Sequence, residues 1–410
     1  MVQAVYFILI AITVVSFLFD QWLDYLNDKR KSPKLPESAK GIYDEERYAK
    51  WLAYDKANGR VGALSSAVSI VISLAMLVFG LFGKLDIFLR GYVDHQIGLA
   101  LIYFGVLGLG SSIISLPFSI YSTFVIEEKF GFNKTTVKTF ILDMIKGAAL
   151  SLLIGVPLAA IIIWFYYELG DWFWLTAWLL VSGFSVFMAM FGADLIMPIF
   201  NKFTPLEDGE LRSSIEAYCS EVDFPLTNLF VMDGSKRSGK SNAFFTGLGP
   251  KKKIVLYDTL IEQMTTQEIV AVLAHEIGHY KHKHTRQSLI LSVLQTGVTL
   301  FLLGLFLREE MFSQALGAEV GSFHVGIIAF GIIFSPLSTL IGIGMNVLSR
   351  KNEFEADAYA NDTYSGAALA SGLKKLTAEN LSNLNPHPYL VFVSYSHPPV
   401  LKRLEKLTTD

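Results

Sequence analysis

Seven long apolar segments constrain this chain more than any other feature. Val2 to Phe19, Val61 to Phe82, Ile97 to Val125, Gly147 to Tyr167, Trp172 to Phe191, Ser288 to Leu307 and Val325 to Leu348 each approach or exceed the ~20 apolar residues that a helix needs to cross a hydrocarbon core of about 30 Å. In lipid no water pairs with backbone N–H and C=O groups, so such segments satisfy them internally and become helices. The composition agrees, with 52% hydrophobic and 17% charged residues, which departs from a soluble domain in the direction of lipid. The expected fold is therefore mostly α, a polytopic membrane protein with seven transmembrane helices. The first segment lacks a basic start and a small-residue cleavage site, so it reads as a retained span rather than a removed signal peptide.

Lys and Arg are retained on the cytoplasmic side of a membrane. The connections after spans one and three carry nine and four of them, whereas those after spans two, four and six carry two, none and one. The odd connections are thus expected to be cytoplasmic. The 201–287 segment and the tail from Ser349 fall on the same side. A formal net charge of -3 supplies no polyelectrolyte signal, so nucleic acid is not an expected partner. The single cysteine, Cys219, forms no internal disulfide, and any metal must be held by nitrogen and oxygen ligands.

Four of the eight histidines fall within "AVLAHEIGHYKHKH", residues 271–284. Thr265 and Glu268 make a capping-box start, and the run that follows has no Pro, which predicts a helix. His275 and His279 then lie one turn apart on one face, able to converge on one metal ion, and Glu276 between them can reach a water on that ion. This is the His-Glu-x-x-His pattern of metalloproteases. His282 shares the face but lies about 10 Å along the axis from His275, too far to join them. Thr285 stands where a metzincin would need its third histidine. The third ligand must come from elsewhere. Two spans later the chain reads "SRKNEFEADAYAND". Glu353 and Asp357, four residues apart, share a helical face. That suits one carboxylate as ligand and the other as acceptor for a histidine N–H.

"GSKRSGKS", residues 234–241, fits the phosphate-loop pattern letter for letter. A phosphate loop must open a helix whose N-terminus faces the anion, and the following "NAFFTGLGPKKKIVLYD" reads instead as hairpin strands. The pattern predicts a short strand pair whose edge can align an extended peptide.

Taken together these residues resemble the type I CAAX prenyl protease family of integral-membrane zinc metalloproteases. "HEIGH" and "EFEADAYA" match its two metal motifs, and "FVIEEKFGFNKTT", "FNKFTPLEDGEL", "SNAFFTG" and "YSHPPVLKRL" look like further family blocks. The resemblance implies one Zn²⁺ ion on His275, His279 and Glu353, with Glu276 as general base and Asp357 supporting the ligands. It also implies that Asn242 holds extended substrate, that His397 and Arg403 stabilise the oxyanion, and that the helices enclose an intramembrane chamber above which sits a small α+β zinc metalloprotease domain. The implied partners are the lipid bilayer and a polypeptide substrate, with cleavage near a prenylated C-terminal Cys-a-a-X sequence. A general membrane quality-control protease acting on non-prenylated polypeptides is the alternative. A non-catalytic seven-span receptor or transporter would account for the apolar segments but leaves the His and Glu cluster without a purpose. The expected organisation is 1–200 as helices one to five, 201–287 as the catalytic region with strand pair and zinc helix, 288–348 as helices six and seven, and 349–410 as the C-terminal catalytic region. The expected location is the endoplasmic reticulum of a eukaryote or the inner membrane of a bacterium.

Overall fold

The computed structural model describes residues 1–226, 228–246 and 253–408. Helices dominate: α1 Val2–Arg30, α2 Glu45–Val78, α3 Leu81–Arg90, α4 Gln96–Tyr121, α5 Val137–Leu150, α6 Val156–Leu169, α7 Phe173–Leu195 and the short α8 Met197–Phe200 precede the first strand. After it come α9 Glu210–Glu221, α10 Asp258–Gln263, α11 Thr266–Lys281, α12 His284–Phe306, α13 Met311–Ala315, α14 Phe323–Ala360, α15 Gly366–Glu379, α16 Pro388–Ser394 and α17 Val400–Thr408.

Six continuous helical stretches among the described residues are long and apolar enough to cross a membrane. The fourth, Val137–Phe200, has 64 residues; unbroken it would be ~95 Å long, three bilayer cores end to end. It is broken at Gly170, whose φ of +50° lies in the left-handed region that ends α6 before α7 begins. Few residues of these stretches are fully buried, only 6% to 17% of each apolar window, the other positions being half-buried or exposed.

Helices overrun the apolar segments. α2 begins at Glu45, capped by the Asp44 side chain, sixteen residues before the apolar run. Its first turns join Ala39 and Tyr43 in an aromatic cluster with Tyr48, Trp51, Phe130, Phe132, Leu381 and Leu384. The connection from Asp20 to Arg60 is thus in part a packed surface, fastened to the turn after α4 and to the C-terminal region. Likewise α12 starts at His284 and α14 continues to Ala360, so the divisions expected at 287 and 348 fall inside continuous helices. At the opposite end polar contacts tie α3 to the start of α14. His324 Nε2 lies 2.6 Å from Asp86, Arg90 forks onto the same carboxylate, and Ser322 joins both.

Among the described residues four strands form one sheet in the order β1 Phe203–Pro205, β2 Leu229–Met232, β4 Lys253–Tyr257, β3 Ala243–Thr246. The β2 and β4 pair is parallel and the others are antiparallel. The expected strand pair is β3 and β4; the residues between them, 247–252, with Gly247 of the "SNAFFTG" block, lie outside the described residues. β3 is an edge strand of this sheet and packs against α11.

The phosphate-loop look-alike is one 3₁₀ turn, Gly234–Lys236, followed by a strand, so it presents no helix N-terminus. Its cations instead fasten the sheet to the membrane helices. Arg237 forks onto Asp143 at 2.7 and 2.9 Å, and Lys240 reaches the Tyr54 hydroxyl at 2.8 Å and Glu127 at 3.3 Å.

Candidate metal centre

α11 is apolar nearly all round, and such a helix belongs in a core. Ile269 to Ala274 and Ile277 are buried against α9, α15 and the sheet, each large side chain stabilising the fold by roughly 1.5–3 kcal/mol. The capping box predicted at its start is complete: Thr265 and Glu268 exchange hydrogen bonds. Glu268 also takes hydrogen bonds from Ser371 and Lys375 of α15, both at 2.7 Å. Burial pushes its carboxyl up, but these partners outweigh that and hold it down at about 2. The helix is thereby pinned at its N-terminus while its C-terminal turns carry the histidines.

Gly278, inside "HEIGH", sets how closely α14 approaches. A Cβ at this position would lie 3.0 Å from Ala356 Cα and 3.1 Å from its carbonyl oxygen, so only the missing side chain lets the two backbones pack at this distance. As a result residues far apart in sequence meet. His275 Nε2 and His279 Nε2 are 3.2 Å apart, His279 Nε2 lies 3.3 Å from Glu353 Oε1, and His275 Nε2 lies 3.6 Å from Glu353 Oε2. Four donors arranged tetrahedrally at zinc's usual bond lengths of about 2.0–2.1 Å stand about 3.3 Å from one another. The 3.2 and 3.3 Å separations match two such edges, the 3.6 Å one runs to the second oxygen of Glu353, and one ligand atom from each of the three residues lies within 4.8 Å of the others. Glu353 Oε2 is moreover buried without a hydrogen-bond partner, the Arg403 guanidinium standing 3.4 Å off out of alignment. The donor set therefore fits a divalent ion.

The outer hydrogen bonds fix which nitrogens face the centre. His275 Nδ1 donates to Asp357 Oδ1 at 2.9 Å, which leaves Nε2 free as a ligand. Arg403, 8% exposed, forks onto both oxygens of Asp357 at 2.6 and 2.8 Å. Burial pushes the His275 imidazole down, but Asp357 and Glu353 outweigh it and raise it to about 9; this is a pocket that favours positive charge. Glu276 makes no hydrogen bond or ion pair among the described residues, and burial pushes its carboxyl above the ordinary range, opposed by His275 and His279.

His397 faces the same centre from the open side, 66% exposed, with Nε2 3.3 Å from Glu353 Oε1. Ser396 Oγ is 2.9 Å from its Nδ1. α14 positions this loop: the Asn346 amide and the Arg350 guanidinium donate to backbone carbonyls of Val393 and Val391. Six expected residues, His275, His279, Glu353, Asp357, His397 and Arg403, thus meet at one place, with Glu276 on the same helix as the histidines. Asn242 stands apart, exposed at the start of β3. Two side chains beside the centre escaped sequence reasoning. His279 Nδ1 contacts His284 Nδ1 at 3.0 Å, and His284 Nε2 contacts Glu355 at 3.0 Å. The only signal for them was the extra histidines of "HKH" and the second glutamate of "EFE".

The sequence pattern described as CAAX prenyl protease N-terminal, five membrane helices, matches residues 24–202, and that of peptidase family M48 matches residues 205–410. The chain belongs to peptidase family M48. A CAAX prenyl protease 1 homolog of Arabidopsis thaliana is 38% identical, covering 96% of this chain and 95% of that protein. CAAX prenyl protease 1 of Saccharomyces cerevisiae is 36% identical over 96% of this chain and 93% of its own. The crystal structure of S. mikatae Ste24p superposes with a TM-score of 0.93 at 34% identity, covering 98% of this chain and 99% of that one. This M48 peptidase is accordingly a multi-pass membrane zinc metalloendopeptidase whose substrates are polypeptides.

Proposed function

We propose that His275, His279 and Glu353 hold a single zinc ion and that the centre cleaves C-terminal CAAX sequences of prenylated proteins. The observation that carries the metal assignment is the set of 3.2, 3.3 and 3.6 Å donor separations. When bound, the ion supplies an acidified water and draws electron density from the scissile carbonyl. Glu276, unpaired beside the histidines, is placed to take a proton from the attacking water and to pass it to the leaving nitrogen. His397 donates from Nε2 to the carbonyl oxygen as it gains charge, with Ser396 holding Nδ1; one such donor is worth roughly 3 kcal/mol in the transition state. Arg403 is committed to Asp357 and stands behind Glu353. It acts on the oxyanion mainly by holding the ligands in place. The edge of β3, with Asn242 at its head, aligns the peptide as an added strand.

The prenyl specificity rests on the near full-length similarity to the CAAX proteases. The break at Gly170 supports reading the fourth helical stretch as two spans, for seven in total, and their sparse mutual burial supports a ring of helices around an interior chamber able to take a lipidated tail. The 201–287 and 349–410 segments act together as a small α+β catalytic domain with α12 and α14 running from it into the membrane. Its side is cytoplasmic by the count of basic residues, in the endoplasmic reticulum of a eukaryote or the inner membrane of a bacterium.

Metal analysis of purified wild type and His279→Ala, beside cleavage of one peptide in farnesylated and unlipidated forms, tests the proposal. One zinc per chain lost in the variant, with preference for the farnesylated peptide, is expected. Full metal retention in His279→Ala would overturn the ligand assignment, and equal cleavage would overturn the prenyl specificity in favour of the general quality-control protease.

A further inference from the structure

Beside the proposed catalytic ligands lies a second group of metal-ligating side chains with no part in the mechanism above. His282 caps the end of α11, His284 opens α12, and Lys283 between them adopts a left-handed φ of +61°. That turn brings the two imidazoles side by side, ring planes 13° apart at a centroid distance of 5.4 Å. Glu355 of α14 faces them, and one ligand atom from each of His282, His284 and Glu355 lies within 4.8 Å of the others. His284 is buried, Glu355 is half-buried and His282 is exposed, so the group is rooted in the fold at one side and open to solvent at the other. Lys351 stands 3.5 Å from Glu355 but is 72% exposed, free to swing away. Two imidazoles and a carboxylate form a nitrogen and oxygen donor set suited to zinc.

We infer that His282, His284 and Glu355 form a second, weaker zinc site whose occupancy opposes the catalytic one. The antagonism rests on the reading of His279 as a ligand; the site itself does not. His284 Nδ1 and His279 Nδ1 are 3.0 Å apart. With His279 Nε2 turned to the catalytic centre, its Nδ1 carries the proton and donates to His284 Nδ1. The His284 proton then sits on Nε2 and is donated to Glu355, 3.0 Å away. A zinc ion taking the Nε2 lone pair requires the other tautomer of His284, so its one ring proton moves by way of solvent from Nε2 to Nδ1 and none is released. Neutral His284 then carries that hydrogen on Nδ1, facing the Nδ1–H of His279, donor against donor. The hydrogen bond that orients His279 is lost. Loss of such an outer partner typically costs 10–100-fold in metal affinity or activity.

The test is zinc titration of the full chain in detergent, reading bound metal by equilibrium dialysis and cleavage of the farnesylated peptide in parallel. Wild type is expected to bind a tight ion and then a weaker one, with activity falling about tenfold or more as the second binds. His282→Ala is expected to bind only the tight ion, keep its basal activity and resist excess zinc. His279→Ala is expected to lose the tight ion and keep the weaker one, which separates failure of this site from failure of the catalytic assignment. A single ion in wild type at saturation, or two in His282→Ala, overturns the second site. A second ion bound without inhibition overturns the antagonism.

Discussion

At the scale of single residues, the centre separates groups that hold the ion from a group that moves protons. Glu276 is unpaired among the described residues and has no hydrogen bond to lose. Glu276→Gln is therefore expected to retain full zinc content and fold stability while cleavage drops about 10²–10⁴-fold, the usual contribution of a general base; metal content beside kcat decides it. Asp357 shows the opposite profile because its carboxylate receives both His275 and Arg403. Asp357→Asn is expected to weaken zinc about 10–100-fold, measured by competition with a chelator. The sequence marked both positions through spacing alone. Spacing did not say which of Glu353 and Asp357 turns to the histidine Nε2 atoms, since both sit on one helical face; the family resemblance named Glu353, and in the structure Arg403, arriving from α17, takes Asp357.

At the scale of elements, the decisive contact is between α11 and α14. Gly278 permits it, and Gly278→Ala is expected to push α14 outward, costing about 1–3 kcal/mol by overpacking and separating Glu353 from the histidines. The paired readouts are the Tm and the chelator-resistant zinc; unchanged metal affinity would show that the close approach does not set the ligand geometry. The anchoring of α11 at its other end depends on pH. Glu268 is held at about 2 against an ordinary 4.5. A depressed carboxylate stabilises the fold above its unfolded value, and that contribution is lost as pH falls from 4.5 through about 2. The Tm advantage of wild type over Glu268→Gln is therefore expected at neutral pH and to shrink across that window. Thermal melts of both proteins in matched buffers check it.

At the scale of the whole molecule, topology places both halves of the centre on one side of the membrane, since the two histidines precede α12 and the carboxylates follow the apolar part of α14. Cys219 is 2% exposed, and burial pushes its thiol up to about 11, so introduced cysteines can be labelled against a silent background. Glu207→Cys is expected to react with an impermeant maleimide only from the cytoplasmic side, and Tyr92→Cys, in the turn between α3 and α4, only from the other. Labelling of both from one side would refute the seven-span arrangement.

Local pattern carried the sequence a long way. Apolar runs of bilayer length dictate helices because lipid leaves the backbone no other partner, and His-Glu-x-x-His on a capped helix dictates a metal-facing stripe because residues four apart share a face. The helices' overrun past the apolar runs, the packing of the 20–60 connection and the His279, His284 and Glu355 chain were not written there. Each depends on contacts between segments tens to hundreds of residues apart, as when α2 meets the C-terminal region or α11 closes on α14 at Gly278. Tertiary structure alone decided these, because a hydrogen bond or an interhelical approach is set by the position of both partners, and periodicity along the chain specifies the direction of only one.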